Sequence, residues 1–96
     1  MKIRNFLHKG LKRLYVDGSA RGLPPENVAK LRNMLAFLKD MHDPEALRSL
    51  PTWKAHVLSG TRAGTWGLHV TKTWRLTFLI DIASSEVYDV DYEDYH

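Results

Sequence analysis

The stretch Trp66-Gly67-Leu68-His69-Val70, followed by Thr71-Lys72-Thr73 and then Trp74-Arg75-Leu76-Thr77-Phe78-Leu79-Ile80-Asp81-Ile82, decides the fold. Its apolar residues recur with a period of two. Trp66, Leu68 and Val70 alternate with Gly67, His69 and Thr71, and Trp74, Leu76, Phe78, Ile80 and Ile82 stand opposite Arg75, Thr77 and Asp81. Alternation of this kind marks strands with one buried face. Lys72-Thr73 is too short a connection for a crossover, so the two strands pair antiparallel.

Outward from this hairpin the same period continues. Ala55 and Val57 alternate with Lys54, His56 and Leu58 ahead of the loop Gly60–Gly64, and Tyr88, Val90 and Tyr92 follow the turn Ala83-Ser84-Ser85. Four strands in a mainly antiparallel meander are therefore expected. Upstream the period lengthens. Leu7, Leu11, Leu14 and Tyr15 share one helical face, and a second helix opened by Pro24-Pro25 carries Val28, Leu31, Leu35, Leu38 and Met41, widened by Met34 and Phe37. Asp43-Pro44-Glu45 caps a short third helix ending near Leu50, and Pro51 closes it. The expected architecture is α+β: two N-terminal helices plus a short third on one face of a four-stranded sheet, one domain over residues 1–96.

Composition narrows the function. The 96 residues have 44% hydrophobic and 26% charged side chains, close to ordinary globular proteins, which argues against wholesale disorder. The chain contains no cysteine, which removes disulfides, thiolate nucleophiles and the common zinc frameworks. The longest apolar run, Met34 to Leu38, is far short of the ~20 residues a membrane helix needs. The basic start lacks the apolar segment of a secretory signal, so a cytoplasmic location is expected.

The formal charge of +3 hides an asymmetry. Residues 1–75 carry all 14 basic side chains and five acids, a net +9, and residues 76–96 carry six acids and no base, a net −6. A +9 segment suits a polyanionic partner such as RNA, DNA or an acidic protein. The competing reading is that the acidic end neutralises basic neighbours within the fold.

If the helices cover the face bearing Trp66, Leu68, Phe78 and Ile80, then His56, His69 and Arg75 share the other face. A second cluster is Tyr92-Glu93-Asp94-Tyr95-His96, which supplies an acceptor, a phenol and a near-neutral acid/base. Plainer readings stand beside these. Arg75 has Asp81 and Asp89 as potential acidic partners, His56 suits a solvated strand position, and terminal residues are prone to fray. His56, Asp94 and His96 match no standard metal-ligand spacing, so no metal is expected, and no phosphate-cradling glycine loop or Gly-x-Ser-x-Gly is present.

Several segments taken in order are distinctive: Phe6-Leu7-His8-Lys9-Gly10-Leu11; Lys54-x-His56-x-Leu58-x-Gly60-x-Arg62-x-Gly64-x-Trp66; Trp74-Arg75-Leu76-Thr77-Phe78; and Asp94-Tyr95-His96. The combination resembles the HigB-type toxins of the RelE superfamily over nearly the whole chain. That resemblance implies a compact microbial ribonuclease fold. It also implies a toxin that cuts messenger RNA in the A site of the 70S ribosome, without metal or other cofactor. Its partners would be the ribosome, the message and a helix-turn-helix antitoxin of the HigA type, with operator DNA contacted only through the antitoxin complex. Carried over, the catalytic residues are His56, Arg75, Asp94, Tyr95 and His96. Lys54, Arg62, Lys72, Lys9, Lys12 and Arg13 are the candidate RNA-binding cations. Two positions depart from the family pattern: Ser59 stands where lysine is frequent, and Thr73 where asparagine often precedes the tryptophan. A non-enzymatic module that docks nucleic acid or an antitoxin on its basic surface is the alternative.

Overall fold

The last strand explains the arrangement of the rest. In a computed structural model, which describes residues 1–95, β5 (Glu86–Asp94) lies between β4 (Trp74–Asp81) and a short N-terminal strand, β1 (Lys2–Ile3). β3 (Trp66–His69) and β2 (His56–Val57) extend the sheet on the far side of β4, giving the order β1-β5-β4-β3-β2. The sheet thus has five strands instead of the expected four. The additional strand, β1, runs parallel to β5 and the other pairs are antiparallel. Two residues are too few to display a period, which is why alternation could not reveal β1.

The pairing of β4 with β5 changes register part-way. Leu79 faces Tyr88, but Thr77 faces Asp91, so two residues of β5, Asp89 and Val90, stand against Phe78 alone. Asp89 has φ +52°, a left-handed conformation that aspartate tolerates better than most residues. The Asn5 side chain locks this bulge: its Nδ2 donates to Asp89 Oδ1 at 2.9 Å and its Oδ1 accepts from the Asp89 backbone N–H at 3.0 Å. The bulge reverses the facing of β5. Val87, Val90 and Tyr92 are buried, whereas Tyr88, expected among the core positions, is half-exposed beneath the Arg4 guanidinium.

Two helices cover the apolar face: α1 (Lys9–Asp17) and α2 (Val28–Asp40). α1 starts later than Leu7, which is 60% exposed; His8 caps the helix by accepting from the Leu11 N–H at 3.2 Å. Gly18, at φ +73°, ends α1 in the left-handed conformation and returns its N–H to the Leu14 carbonyl at 3.1 Å. Leu11 and Leu14 of α1 and Leu31, Met34, Leu35 and Leu38 of α2 meet Leu68, Leu76, Phe78, Val87 and Val90 in the core. The short third helix is a 3₁₀ helix, Pro44–Ser49, capped by Asp43 as expected and anchored by buried Leu47. Among the described residues, no helix is long and apolar enough to cross a membrane.

Candidate active site

The face of the sheet turned away from the helices is built in two rows. His56 pairs with Gly67, Gly67 with Thr77, and Thr77 with Asp91; one step along, His69 pairs with Arg75 and Arg75 with Glu93. Paired residues share a face, so adjacent strands set His56, His69, Thr77, Arg75 and Glu93 side by side.

His56 is positioned by its own approach to the strand. Lys54 takes a left-handed conformation, φ +46°, and its carbonyl lies 2.9 Å from His56 Nδ1. A carbonyl only accepts, so Nδ1 carries the proton in this bond, and the neutral ring presents its lone pair at Nε2. The ring lies over Gly67, where a Cβ would approach His56 Cε1 to 3.2 Å. A side chain at Gly67 would require the imidazole to give way by a few tenths of an ångström.

Arg75 and Tyr95 form the centre. The Arg75 guanidinium lies 5.1 Å from the centre of the Tyr95 ring, and the His69 ring lies 6.3 Å from it on the other strand. Tyr95 is held there by its backbone N–H, which donates to the Thr73 carbonyl at 2.9 Å. A backbone carbonyl can come from any residue at 73, so threonine in place of asparagine leaves this contact intact. Burial, followed by the charges of Lys54 and Lys30, lowers the pKa of His69 and favours the neutral ring.

Behind Arg75 is Glu93, a member of the terminal cluster to which reading the sequence gave no role of its own. Glu93 accepts from both terminal nitrogens of Arg62, each at 2.7 Å, accepts from the Thr77 hydroxyl, and lies 3.9 Å from Arg75 Nη2. The Arg62 hydrogen bonds, reinforced by Thr77 and opposed by burial, hold its carboxyl below the usual carboxylate range. Arg75 Nε is buried and, among the described residues, has no hydrogen-bond partner. The partners expected for Arg75 are engaged elsewhere: Asp81 with Arg4, and Asp89 with Asn5.

The sequence-derived candidates therefore divide. His56, Arg75 and Tyr95 share one face, with Arg62 joined to it through Glu93 and exposed Lys54 leading into β2. Lys72 is exposed in the β3–β4 turn, and Ser59 is exposed ahead of the turn Gly60–Arg62. Lys9, Lys12 and Arg13 are exposed on α1, across the sheet from Arg75. Asp94 pairs with Trp74, one register position from the Arg75–Glu93 pair, without the bend after Tyr92 that a direct approach to Arg75 requires. His96 lies outside the described residues.

The model of a family described as the RelE-like toxin HigB of type II toxin–antitoxin systems matches residues 4–96. The chain is a HigB-like toxin. The Endoribonuclease HigB of Proteus vulgaris is 34% identical to this toxin over 94 residues, covering 98% of this chain and 99% of that one. Solved structures share the toxin's fold at lower identity. A mutant of YafQ from E. coli has a TM-score of 0.58 at 16% identity, covering 99% of this chain and 94% of its own. A chain of the toxin–antitoxin complex RelBE2 from Mycobacterium tuberculosis has a TM-score of 0.50 at 20% identity, covering 97% and 95%.

Proposed function

We propose that this toxin, acting as a single domain over residues 1–96, is an endoribonuclease whose active face is the bare side of β2–β4 and the end of β5. One observation carries the reading: a guanidinium, an imidazole held through Nδ1 by the Lys54 carbonyl, and a phenol are collected on the one sheet face the helices leave uncovered. The naming of its Proteus vulgaris relative as an endoribonuclease supports it.

RNA carries its own nucleophile. Removal of a proton from a 2′-hydroxyl lets that oxygen attack the adjacent phosphorus; the bond to the 5′-oxygen breaks, and that oxygen leaves with a proton. The products are a 2′,3′-cyclic phosphate and a 5′-hydroxyl. His56 Nε2 takes the first proton, its tautomer set by Lys54. The Arg75 guanidinium, which faces the Tyr95 ring on this side of the sheet, stabilises the charge growing on the phosphorane oxygens. Tyr95, 38% exposed, stacks a nucleotide or supplies a proton, and Asp94 and His96 complete the proton-transfer set implied by the family resemblance. No metal or other cofactor is required by this scheme.

The face is small and holds few groups, so alignment of the message by a large partner would contribute much of the rate. We place the reaction on messenger RNA in the A site of the cytoplasmic 70S ribosome, restrained by a helix-turn-helix antitoxin of the HigA type through which operator DNA is contacted. The test is to induce the toxin in bacteria and map message 5′ ends. New ends within translated codons are expected with the native chain and none with Arg75→Ala. Growth inhibition without new ends would replace the ribonuclease with a non-enzymatic binder.

A further inference from the structure

Glu93 has no part in the reaction as drawn, yet it is the most heavily bonded carboxylate on the face. Oε1 accepts from Arg62 Nη1 and lies 3.9 Å from Arg75 Nη2, while Oε2 accepts from Arg62 Nη2 and Thr77 Oγ1. A carboxylate held ionised, with both oxygens engaged, serves neither as general acid nor as an available base. It does present two anionic oxygens to two guanidiniums, which is how the non-bridging oxygens of a phosphodiester are gripped.

The two arginines are held differently. Arg75 stands within β4 with its side chain 17% exposed, whereas Arg62 is 43% exposed on a loop bracketed by Gly60 at φ +74° and Gly64 at φ +92°. Arg62 can therefore leave Glu93 at the expense of one ion pair, and Arg75 moves only with the sheet.

We propose that Glu93 is an internal competitor for the RNA phosphate, holding Arg62 in the free toxin so that a phosphodiester arriving beside Arg75 must draw Arg62 away. The inference rests on the ribonuclease reading and deepens it. Whatever Arg62 bonds to on the RNA, it first gives up its bidentate pair with Glu93. This face alone therefore grips RNA weakly and depends on other surfaces to hold the message.

The test is binding of a fluorescently labelled, single-stranded RNA of a few nucleotides, 2′-O-methylated so that it cannot be cut, to the full chain over a range of salt. Glu93→Gln keeps the side chain's shape and an acceptor for Thr77 but releases Arg62. It is expected to bind about ten-fold more tightly at low salt, with a log–log salt slope steeper by about 0.7, the value of one further phosphate contact. Adding Arg62→Gln is expected to cancel the gain of Glu93→Gln, since the released guanidinium is what makes the further phosphate contact. Equal or weaker binding by Glu93→Gln overturns the inference, as does a gain that persists undiminished when Arg62→Gln is added. Binding by the native chain without a gain in Glu93→Gln removes only the role of Glu93. If neither the native chain nor Glu93→Gln binds RNA, the inference is overturned, while the ribonuclease reading is decided separately by the mapping of message ends.

Discussion

The two ends of the β4–β5 ladder carry the same three kinds of side chain in different proportions. At the turn end, Arg4 donates to Glu86 at 2.7 Å, Asp81 at 2.8 Å and Ser84 at 3.2 Å, and covers the Tyr88 ring at 4.7 Å. At the other end Arg75 covers Tyr95 at 5.1 Å, but the Glu93 oxygen it faces is 3.9 Å away and already bonded to Arg62. In the first case two carboxylates serve one guanidinium. In the second, one carboxylate is shared by two guanidiniums, and Arg75 Nε is buried without a partner among the described residues. A guanidinium bonded to two carboxylates holds the structure together, while one that shares a carboxylate 3.9 Å away has charge left for an incoming anion. The composition of each contact, and not the mere presence of an Arg–Tyr pair, separates a fastening from a site.

The strongest way to break this contrast is to remove each arginine in turn. Arg75→Ala is expected to lower cleavage of ribosome-bound message by about 10³-fold, the scale of losing a preorganised charge stabiliser. Arg4→Ala should leave cleavage unchanged within about two-fold, because its contacts lie at the opposite end of the ladder. Single-turnover cleavage rates for the two variants measure both. Comparable losses in the two would erase the distinction.

A smaller effect should come from the bulge that sets the two ends in their phases. Asn5→Ala removes both side-chain hydrogen bonds to Asp89 and is expected to cost about 1–2 kcal/mol in urea unfolding. Cleavage should fall as well, although Asn5 touches no residue of the site. Loss of stability with fully native cleavage would show that the Arg75–Glu93 register survives without the lock.

The smallest expected effect is in the pH dependence of stability. Because the Glu93 carboxyl lies below its ordinary pKa, chiefly through Arg62, the folded chain binds that proton less readily than the unfolded chain. Its stabilisation is complete above the ordinary carboxylate range and disappears as the pH falls through the lowered value. The native chain should therefore exceed Glu93→Gln in stability by no more than about 1 kcal/mol at pH 7, since the Arg62 side is open to solvent. Melting curves should show the gap closing in acid; a gap that widened there would reverse the assignment.

Much of this was legible from residue spacing. The Trp66–Ile82 hairpin, the burial of Leu68, Leu76 and Phe78, and the open face bearing His56, His69 and Arg75 all follow from a period of two. What escaped was register. Without a bulge, continuing the turn's pairing would set Tyr92 against Arg75; the left-handed Asp89 moves Glu93 there instead and sends Tyr92 into the core, where Asn27 donates to its hydroxyl at 2.7 Å. The signal lay in Val87 and Val90, buried yet three apart where strict alternation demands two or four, with an aspartate between them. The charge asymmetry was legible too, but its two readings are not exclusive: Asp81 and Glu86 neutralise Arg4, and Glu93 restrains Arg62 beside the proposed site.

The central claim is that RNA meets the Arg75 end of the ladder and not the Arg4 end. Titrating isotopically labelled protein with the non-cleavable RNA and following backbone amide shifts by NMR tests it most directly. Shifts concentrated at His56, Gly67, His69, Arg75 and Tyr95, with Arg4, Glu86 and Tyr88 unmoved, are the predicted result. Shifts centred on Arg4 and Tyr88, or confined to α1 and α2, would contradict it.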